Sequence, residues 1–199
     1  MSEHYYSENP TSRVVEKQFS YSIKGKTLNF KSVSGVFAFS NSIDKASELL
    51  IKAFSPSGST VLDVGCGYGA IGLFIKALFP DQKVTLCDIN SRAIEYSGIN
   101  ARENHLEVEL VKSNLFESLS HTLYDDIVTN PPVAAGKKLN TELIRQSYEF
   151  LRAGGSLWMV AFHNKGGSTL KKIMEARYGN AQDVVKSGGI RVYRSIKTT

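Results

Sequence analysis

The sequence predicts an α/β protein built on a mostly parallel sheet of seven strands. Helices cover both faces, an antiparallel strand pair closes the C-terminus, and a β-hairpin precedes the sheet. Three observations carry this expectation. From residue 60 onward, short and almost fully apolar runs alternate with helical stretches, as in a parallel sheet buried on both faces. A glycine-rich turn, GCGYG, joins the first of those runs to its helix. The chain ends in two strand-like runs around Ser187-Gly188-Gly189.

The elements follow in order. Residues 14–33 alternate apolar and polar on both sides of Lys24-Gly25-Lys26, which predicts a hairpin with a short turn. In IDKASELLIKAF, Ile43, Ala46, Leu49, Leu50 and Ala53 recur at helical spacing, and Ser55-Pro56-Ser57-Gly58 closes that helix. TVLDVG is a strand, and YGAIGLFIKALF is a helix ending at Pro80. KVTLCDI, VELVKSN and DDIVTN are three more strands, with a helix over 91–104 between the first two. LNTELIRQSYEFLRA is a helix expected to stop at Gly154-Gly155, and SLWMVAF is the fifth strand. GSTLKKIMEARYG is a further helix, and DVVKSGGIRVYRSIK supplies the closing strand pair. The expected division is an N-terminal extension with its hairpin over 1–40 and one compact domain over 41–199.

Hydrophobic residues make up 42% of the 199 and charged residues 22%, a balance that suits a soluble globular chain with one core. AIGLFIKALF, the longest apolar stretch, is broken by Lys76 and is too short to span a bilayer, so no membrane association is expected. MSEHYYSENP has no apolar run, so no signal peptide is expected. Two cysteines, Cys66 and Cys87, make no disulfide framework, which points to a reducing cytoplasm. His4, His105 and His121 show no ligand spacing and His163 reads as a surface loop residue, so no metal is expected. Charge is uneven along the chain: 1–136 hold 12 Lys/Arg against 15 Asp/Glu, whereas 137–199 hold 12 against 4. A basic C-terminal third suits a polyanionic partner.

In VLDVGCGYGAIG, Gly65, Gly67 and Gly69 let the backbone turn tightly and approach a ligand, ahead of a helix N-terminus. Asp88 follows Gly69 by 19 residues, at the end of the next strand, where a carboxylate accepts from both hydroxyls of a ribose. Together they indicate a nucleoside-containing cofactor. Gly67, Gly69 and Gly72 also satisfy the G-x-G-x-x-G fingerprint, so by this test NAD and S-adenosylmethionine both remain open.

These residues resemble the class I S-adenosylmethionine-dependent methyltransferases, whose fold is a Rossmann-like seven-stranded sheet. VLDVGCGYG is similar to their first motif, with Asp63 in its usual place and Gly65, Cys66, Gly67 and Gly69 along the cofactor. LCDIN resembles the second, implying ribose binding by Asp88 with Ile89 alongside. KSNLF resembles the third, beside the adenine. There the family usually has Asp, and this chain has Asn114 followed by Leu115. An amide oxygen still accepts a bond from the adenine amino group, without the charge.

TNPPV resembles the family's N-P-P-aromatic motif for methylating planar nitrogens, which implies catalytic roles for Asn130, Pro131 and Pro132, with Asn130 beside the cofactor as well. The lone pair of an exocyclic amine is delocalised into its ring. Two fixed acceptors on that nitrogen, the Asn130 side-chain oxygen and the Pro131 carbonyl, favour pyramidal geometry and aim the lone pair at the methyl group. The position after the prolines is usually aromatic and is Val133 here. A stacking ring for the base must then come from Phe37, Phe39 or Phe162.

GVFAFSNSIDKASELL, NPPVAAGK and KSGGIRVYRSIK are similar to one subgroup, the small methyltransferase domain proteins that include the guanine-N2 methyltransferases of small-subunit ribosomal RNA of the RsmC type. That resemblance implies RNA as partner, S-adenosylmethionine as cofactor, and substrate contacts from Phe37, Val133, Lys137, Lys165 and Arg191. Lys138, Lys186 and Arg194 share the basic region. The alternatives are methylation of a protein glutamine or of adenine N6. From other classes, a nicotinamide oxidoreductase would leave the prolines idle, and a silent RNA-binding module would leave the glycine loop idle.

Overall fold

A computed structural model describes residues 8, 10, 11, 13–120, 122–132 and 136–199. The chain opens with strands β1 (Glu16–Ile23) and β2 (Lys26–Val33), paired antiparallel about Lys24-Gly25. Both turn residues have positive φ, 48° and 77°, the backbone twist that a two-residue hairpin loop requires. Helix α1 (Lys45–Ala53) follows, then β3 (Thr60–Val64), α2 (Ala70–Leu78), β4 (Lys83–Asp88), α3 (Ser91–Glu103) and β5 (Glu109–Lys112). The second half holds β6 (Tyr124–Thr129), α4 (Lys137–Phe150), β7 (Leu151–Phe162), α5 (Ser168–Tyr178), β8 (Gln182–Ser187) and β9 (Ile190–Ile196).

Strands β3 to β9 form one seven-stranded sheet in the order β5-β4-β3-β6-β7-β9-β8. The first five of these run parallel, and β9 pairs antiparallel with both β7 and β8. Alternate residues of each strand feed two cores. Val61, Val128, Trp158 and Val160 pack with Leu50, Ile51, Leu73 and Phe74 of α1 and α2. Leu62, Ile127, Leu157 and Met159 pack with Leu143, Ile144, Leu170 and Met174 of α4 and α5. The strand order reverses beside β3, so the crevice of the sheet opens at the carboxyl ends of β3, β4 and β6. Among the described residues, no helix is long and apolar enough to cross a membrane.

One boundary differs from expectation. The helix expected to run to Gly154 ends at Phe150, and Leu151 already belongs to β7. Leu151 is wholly buried opposite Tyr124, which outweighs continuation of the helix. Gly154 and Gly155 lie inside the strand, bonded to Lys197 in both directions (2.7 and 2.9 Å), at the irregularity between Tyr124 and Asp126.

The hairpin is clipped to the domain by two asparagines one turn apart on α3. Asn104 bonds the backbone N–H and C=O of Asn29 (2.8 and 2.7 Å), and Asn100 bonds those of Lys31 (2.8 and 3.1 Å). These amides act as a neighbouring strand would, satisfying the edge of β2. The segment after β2 is then held by Asn90 Nδ2 on the Gly35 carbonyl (2.8 Å) and by Arg92 on the Ser34 carbonyl (2.7 Å). That fixes Val36 and Phe37 over the crevice.

Helix α2 lies so close to the sheet that a Cβ at Gly72 would stand 2.2 Å from Leu86 Cδ2. Gly72→Ala should therefore lower stability by about 1–3 kcal/mol, read from the urea unfolding midpoint.

Candidate active site

The loop after β3 is tied to the end of β4. Gly65 N–H and Cys66 N–H both donate to the Cys87 carbonyl (2.9 and 3.0 Å). Gly65, Gly67 and Gly69 have φ of 73°, 58° and 94°, where a side chain would be strained. Gly67 N–H donates to Asp88 Oδ2 (2.9 Å), and Asn90 N–H donates to Oδ1 (2.9 Å). Burial raises the Asp88 pKa above the ordinary carboxylate value, against the lowering effect of these N–H groups.

Asp63 is wholly buried beneath the loop. Its Oδ2 accepts from Gly72 N–H (2.9 Å), while Oδ1 has no partner among the described residues. Burial raises its pKa to about 7, with the Gly72 N–H opposing and Asp88 adding to the rise. Cys66 and Cys87 are both buried, and burial pushes both thiols up, so neither is a thiolate near neutrality.

A cavity of about 220 Å³ opens along the carboxyl ends of the strands. It brings together Gly65, Gly67, Asp88, Ile89, Asn114, Leu115, Asn130 and Pro132 of the expected residues, with Phe37 at its edge. A smaller hollow between the glycine loop and α1 adjoins Gly65, Cys66, Gly67, Asp44, Ser47 and Asn130. The two share Phe37, Gly65, Gly67 and Asn130, so the asparagine stands where they meet.

Two amides here have determined orientations. Asn130 Nδ2 donates to Asp44 Oδ1 (3.3 Å) and Ser47 Oγ (3.1 Å). A carboxylate oxygen accepts only, so the nitrogen of Asn130 must face Asp44, which leaves its oxygen as the free acceptor of the amide. Asn114 Nδ2 likewise donates to Glu117 Oε1 (2.9 Å), which leaves the amide oxygen as its acceptor at the cavity wall. Pro131 is buried behind Asn130, and Pro132 C=O accepts from Asn140 Nδ2 (3.4 Å).

The expected substrate residues are more scattered. Phe37 is 39% exposed and Phe162, at the end of β7, is 44% exposed. Only Phe37 lines the cavity, while the Phe162 ring carries the Lys165 ammonium at 5.6 Å. Phe39 lies under Lys17 Nζ at 4.3 Å. Lys137 and Lys138 are exposed at the start of α4, and Arg191 is half-buried beside Ala161 near the end of β7. Arg194, expected in the basic region, lies within β9 with its guanidinium 4.9 Å from the Trp158 ring, so it faces the sheet. His163 is half-buried, and its Nδ1 shares a hydrogen with the Tyr193 hydroxyl (2.8 Å). Val133 lies outside the described residues. Among those residues, no cluster of three His, Cys, Asp or Glu side chains suits a metal.

Sequence reasoning alone misses Val36, Ser113, Leu139 and Leu143, which line the cavity, and the pair Asp44 and Ser47. Asp44 carries a readable signal, because an Asp just before a helical run is an N-cap candidate. It accepts from Ala46 N–H and Ser47 N–H (3.1 and 3.0 Å). The second partner, 86 residues away, leaves no local trace.

Comparison with known proteins agrees with this geometry. The methyltransferase small domain family matches residues 27–194. The uncharacterized protein YbxB of Bacillus subtilis is 36% identical, over 99% of this chain and 100% of its own. Ribosomal RNA small subunit methyltransferase C of Salmonella paratyphi B is 33% identical, over 89% of this chain and 52% of its own. The structure of the T. thermophilus 16S rRNA N2 G1207 methyltransferase (RsmC) in complex with AdoMet and guanosine superposes with a TM-score of 0.79. It covers 94% of this chain and 52% of its own, at 24% identity. The chain thus spans about half the length of the methyltransferase C relatives it matches. It belongs to the methyltransferase small domain family.

Asp63 gives a pH test. Its folded pKa, about 7, exceeds the unfolded value of 3.8, so the folded chain holds the extra proton between them and wild-type stability falls as pH rises through that window. The stability of Asp63→Asn relative to wild type should climb from about pH 4 to about pH 7 and level off above, measured by urea unfolding at each pH.

Proposed function

We propose that the acceptor is an exocyclic amine, guanine N2 in RNA, and that the RNA belongs to the small ribosomal subunit in the cytoplasm. The observation that carries the reading is the Asn130 amide at the cavity wall, its nitrogen held by Asp44 and Ser47, which leaves its oxygen as the acceptor. When bound, S-adenosylmethionine supplies an electrophilic methyl group on its sulfonium. The protein's task is to aim a weak nucleophile at it.

Asn130 Oδ1 and the Pro131 carbonyl accept the two N–H bonds of the amine. With both hydrogens directed at fixed acceptors, the nitrogen is drawn from planarity and its lone pair points away from them. No side chain needs to remove a proton first, since the methylated nitrogen becomes acidic and sheds it to water. The absence of a histidine near Asn130 among the cavity-lining residues therefore fits.

The same cavity accommodates the donor. Asp88 stands at the end of β4 to accept from a ribose, and Ile89 and Leu115 provide apolar walls for an adenine. The Asn114 oxygen is the acceptor available to its amino group. Phe37, exposed at the rim, is the ring we assign to stacking on the flipped base. Lys137, Lys138, Lys165 and Arg191 are the basic residues we assign to RNA phosphates.

Incubation with labelled donor and undermethylated small ribosomal subunits should place the label on guanine N2, located by nucleoside mapping. Label in protein instead would redirect the reading to a glutamine. Asn130→Ala should cut transfer by about 10²-fold or more while donor affinity changes little, measured by single-turnover rate and calorimetry. Lys137→Glu with Lys165→Glu should weaken RNA binding and lower its salt slope by about one for each phosphate no longer neutralised. Unchanged salt dependence would remove these lysines from the interface.

A further inference from the structure

We propose that Asp44 and Ser47 are positioning residues for Asn130, and that Asp44 dictates asparagine rather than aspartate at that position. The inference rests on the two-acceptor reading of Asn130 above. Nothing about Asp44 as a helix cap requires a contact with the end of β6, yet its Oδ1 is the atom that both caps α1 and receives Asn130 Nδ2.

The arrangement has a directional logic. An asparagine side chain rotates between two orientations of similar shape, and only one presents the oxygen to an amine. Asp44 Oδ1 and Ser47 Oγ receive the nitrogen on one side, at 3.3 and 3.1 Å. A flipped amide would set its oxygen against the Asp44 carboxylate, acceptor against acceptor. Ser47 is 4% exposed and Asn130 half-buried, so water compensates such a clash poorly. An aspartate at position 130 would place a carboxylate oxygen where Nδ2 now stands, 3.3 Å from Asp44. Two carboxylates at that distance disfavour joint ionisation, so either one takes up a proton or the side chains part. Either outcome costs stability that the asparagine avoids.

This predicts a coupling that a cycle can read. Serine at 44 keeps an acceptor for the first turn of α1 and removes the carboxylate that an aspartate at 130 would meet. The test compares wild type, Asn130→Asp, Asp44→Ser and the double variant by melting temperature. Asn130→Asp should lower the melting temperature by about 5 °C in the wild-type background and by much less in the Asp44→Ser background. If the loss is as large in the Asp44→Ser background, the proposal is wrong.

Asp44→Ser separates capping from positioning, because serine caps a helix as well as aspartate but its shorter side chain does not reach Asn130. Transfer should fall about tenfold with donor affinity within about twofold. A loss of donor affinity with the rate held would assign Asp44 to the donor and overturn the proposal. The melting cycle needs no substrate. If wild type methylates no RNA, the proposed function fails, and the melting cycle still decides whether Asp44 sets the residue at 130.

Discussion

The site depends on one carboxylate oxygen used twice. Asp44 Oδ1 closes the first turn of α1 and, from the same place, receives the amide nitrogen of Asn130 at the end of β6. Everything that positions α1 therefore also positions the acceptor at the cavity. Ile51 and Leu50 seat the helix against the sheet core, where Trp158 and Val160 of β7 meet it. Thr129 Oγ1 donates to the Val64 carbonyl (2.9 Å), binding β6 to β3 one residue before Asn130. The Asn130 amide is held from two elements, α1 and β6, and the prolines behind it add stiffness rather than direction.

The cofactor half of the site is organised by a parallel device. The Gly65 and Cys66 amides close onto β4, and Gly67 N–H is taken by Asp88, so the loop is folded onto the strand that carries the ribose acceptor. Gly72 allows α2 to approach Leu86 closely enough for its N–H to reach the buried Asp63. That carboxyl lies wholly out of water with one oxygen unpartnered among the described residues, and burial raises its pKa against the lowering effect of the Gly72 N–H. Fixed backbone donors and fixed acceptors shielded from solvent are worth more than the same groups in water, which is what the proposed transfer without a general base relies on.

The α/β alternation from Thr60 onward, the hairpin about Lys24-Gly25 and the closing strands are legible in the sequence because each follows a local rule: apolar runs for buried strands, glycine where φ is positive, polar alternation at an exposed hairpin. The glycine loop, Asp88 and the asparagine before two prolines are legible because their chemistry is contiguous along the chain. What stays hidden is long-range. Nothing in the spacing of Asn100 and Asn104 announces that they replace a strand neighbour for β2, and nothing near Asn130 announces Asp44. Gly154-Gly155 look like a stop signal for α4, whereas burial of Leu151 beside Tyr124 ends the helix three residues earlier. Arg194 reads as a surface charge because composition does not show that it lies over Trp158.

Charge and shape lead to the same kind of substrate. Of the basic residues of the last third, Lys137, Lys138 and Lys165 are exposed, while others are bound into the fold, as Lys171 and Lys186 are by Asp183. The most direct measurement of the two-acceptor clamp is a crystal structure with S-adenosylhomocysteine and guanosine bound. Guanine N2 is expected about 3 Å from both Asn130 Oδ1 and the Pro131 carbonyl, with Asn130 Nδ2 still on Asp44. A base held with N2 away from Asn130, or an Asn130 amide turned so that its nitrogen faces the base, would contradict it.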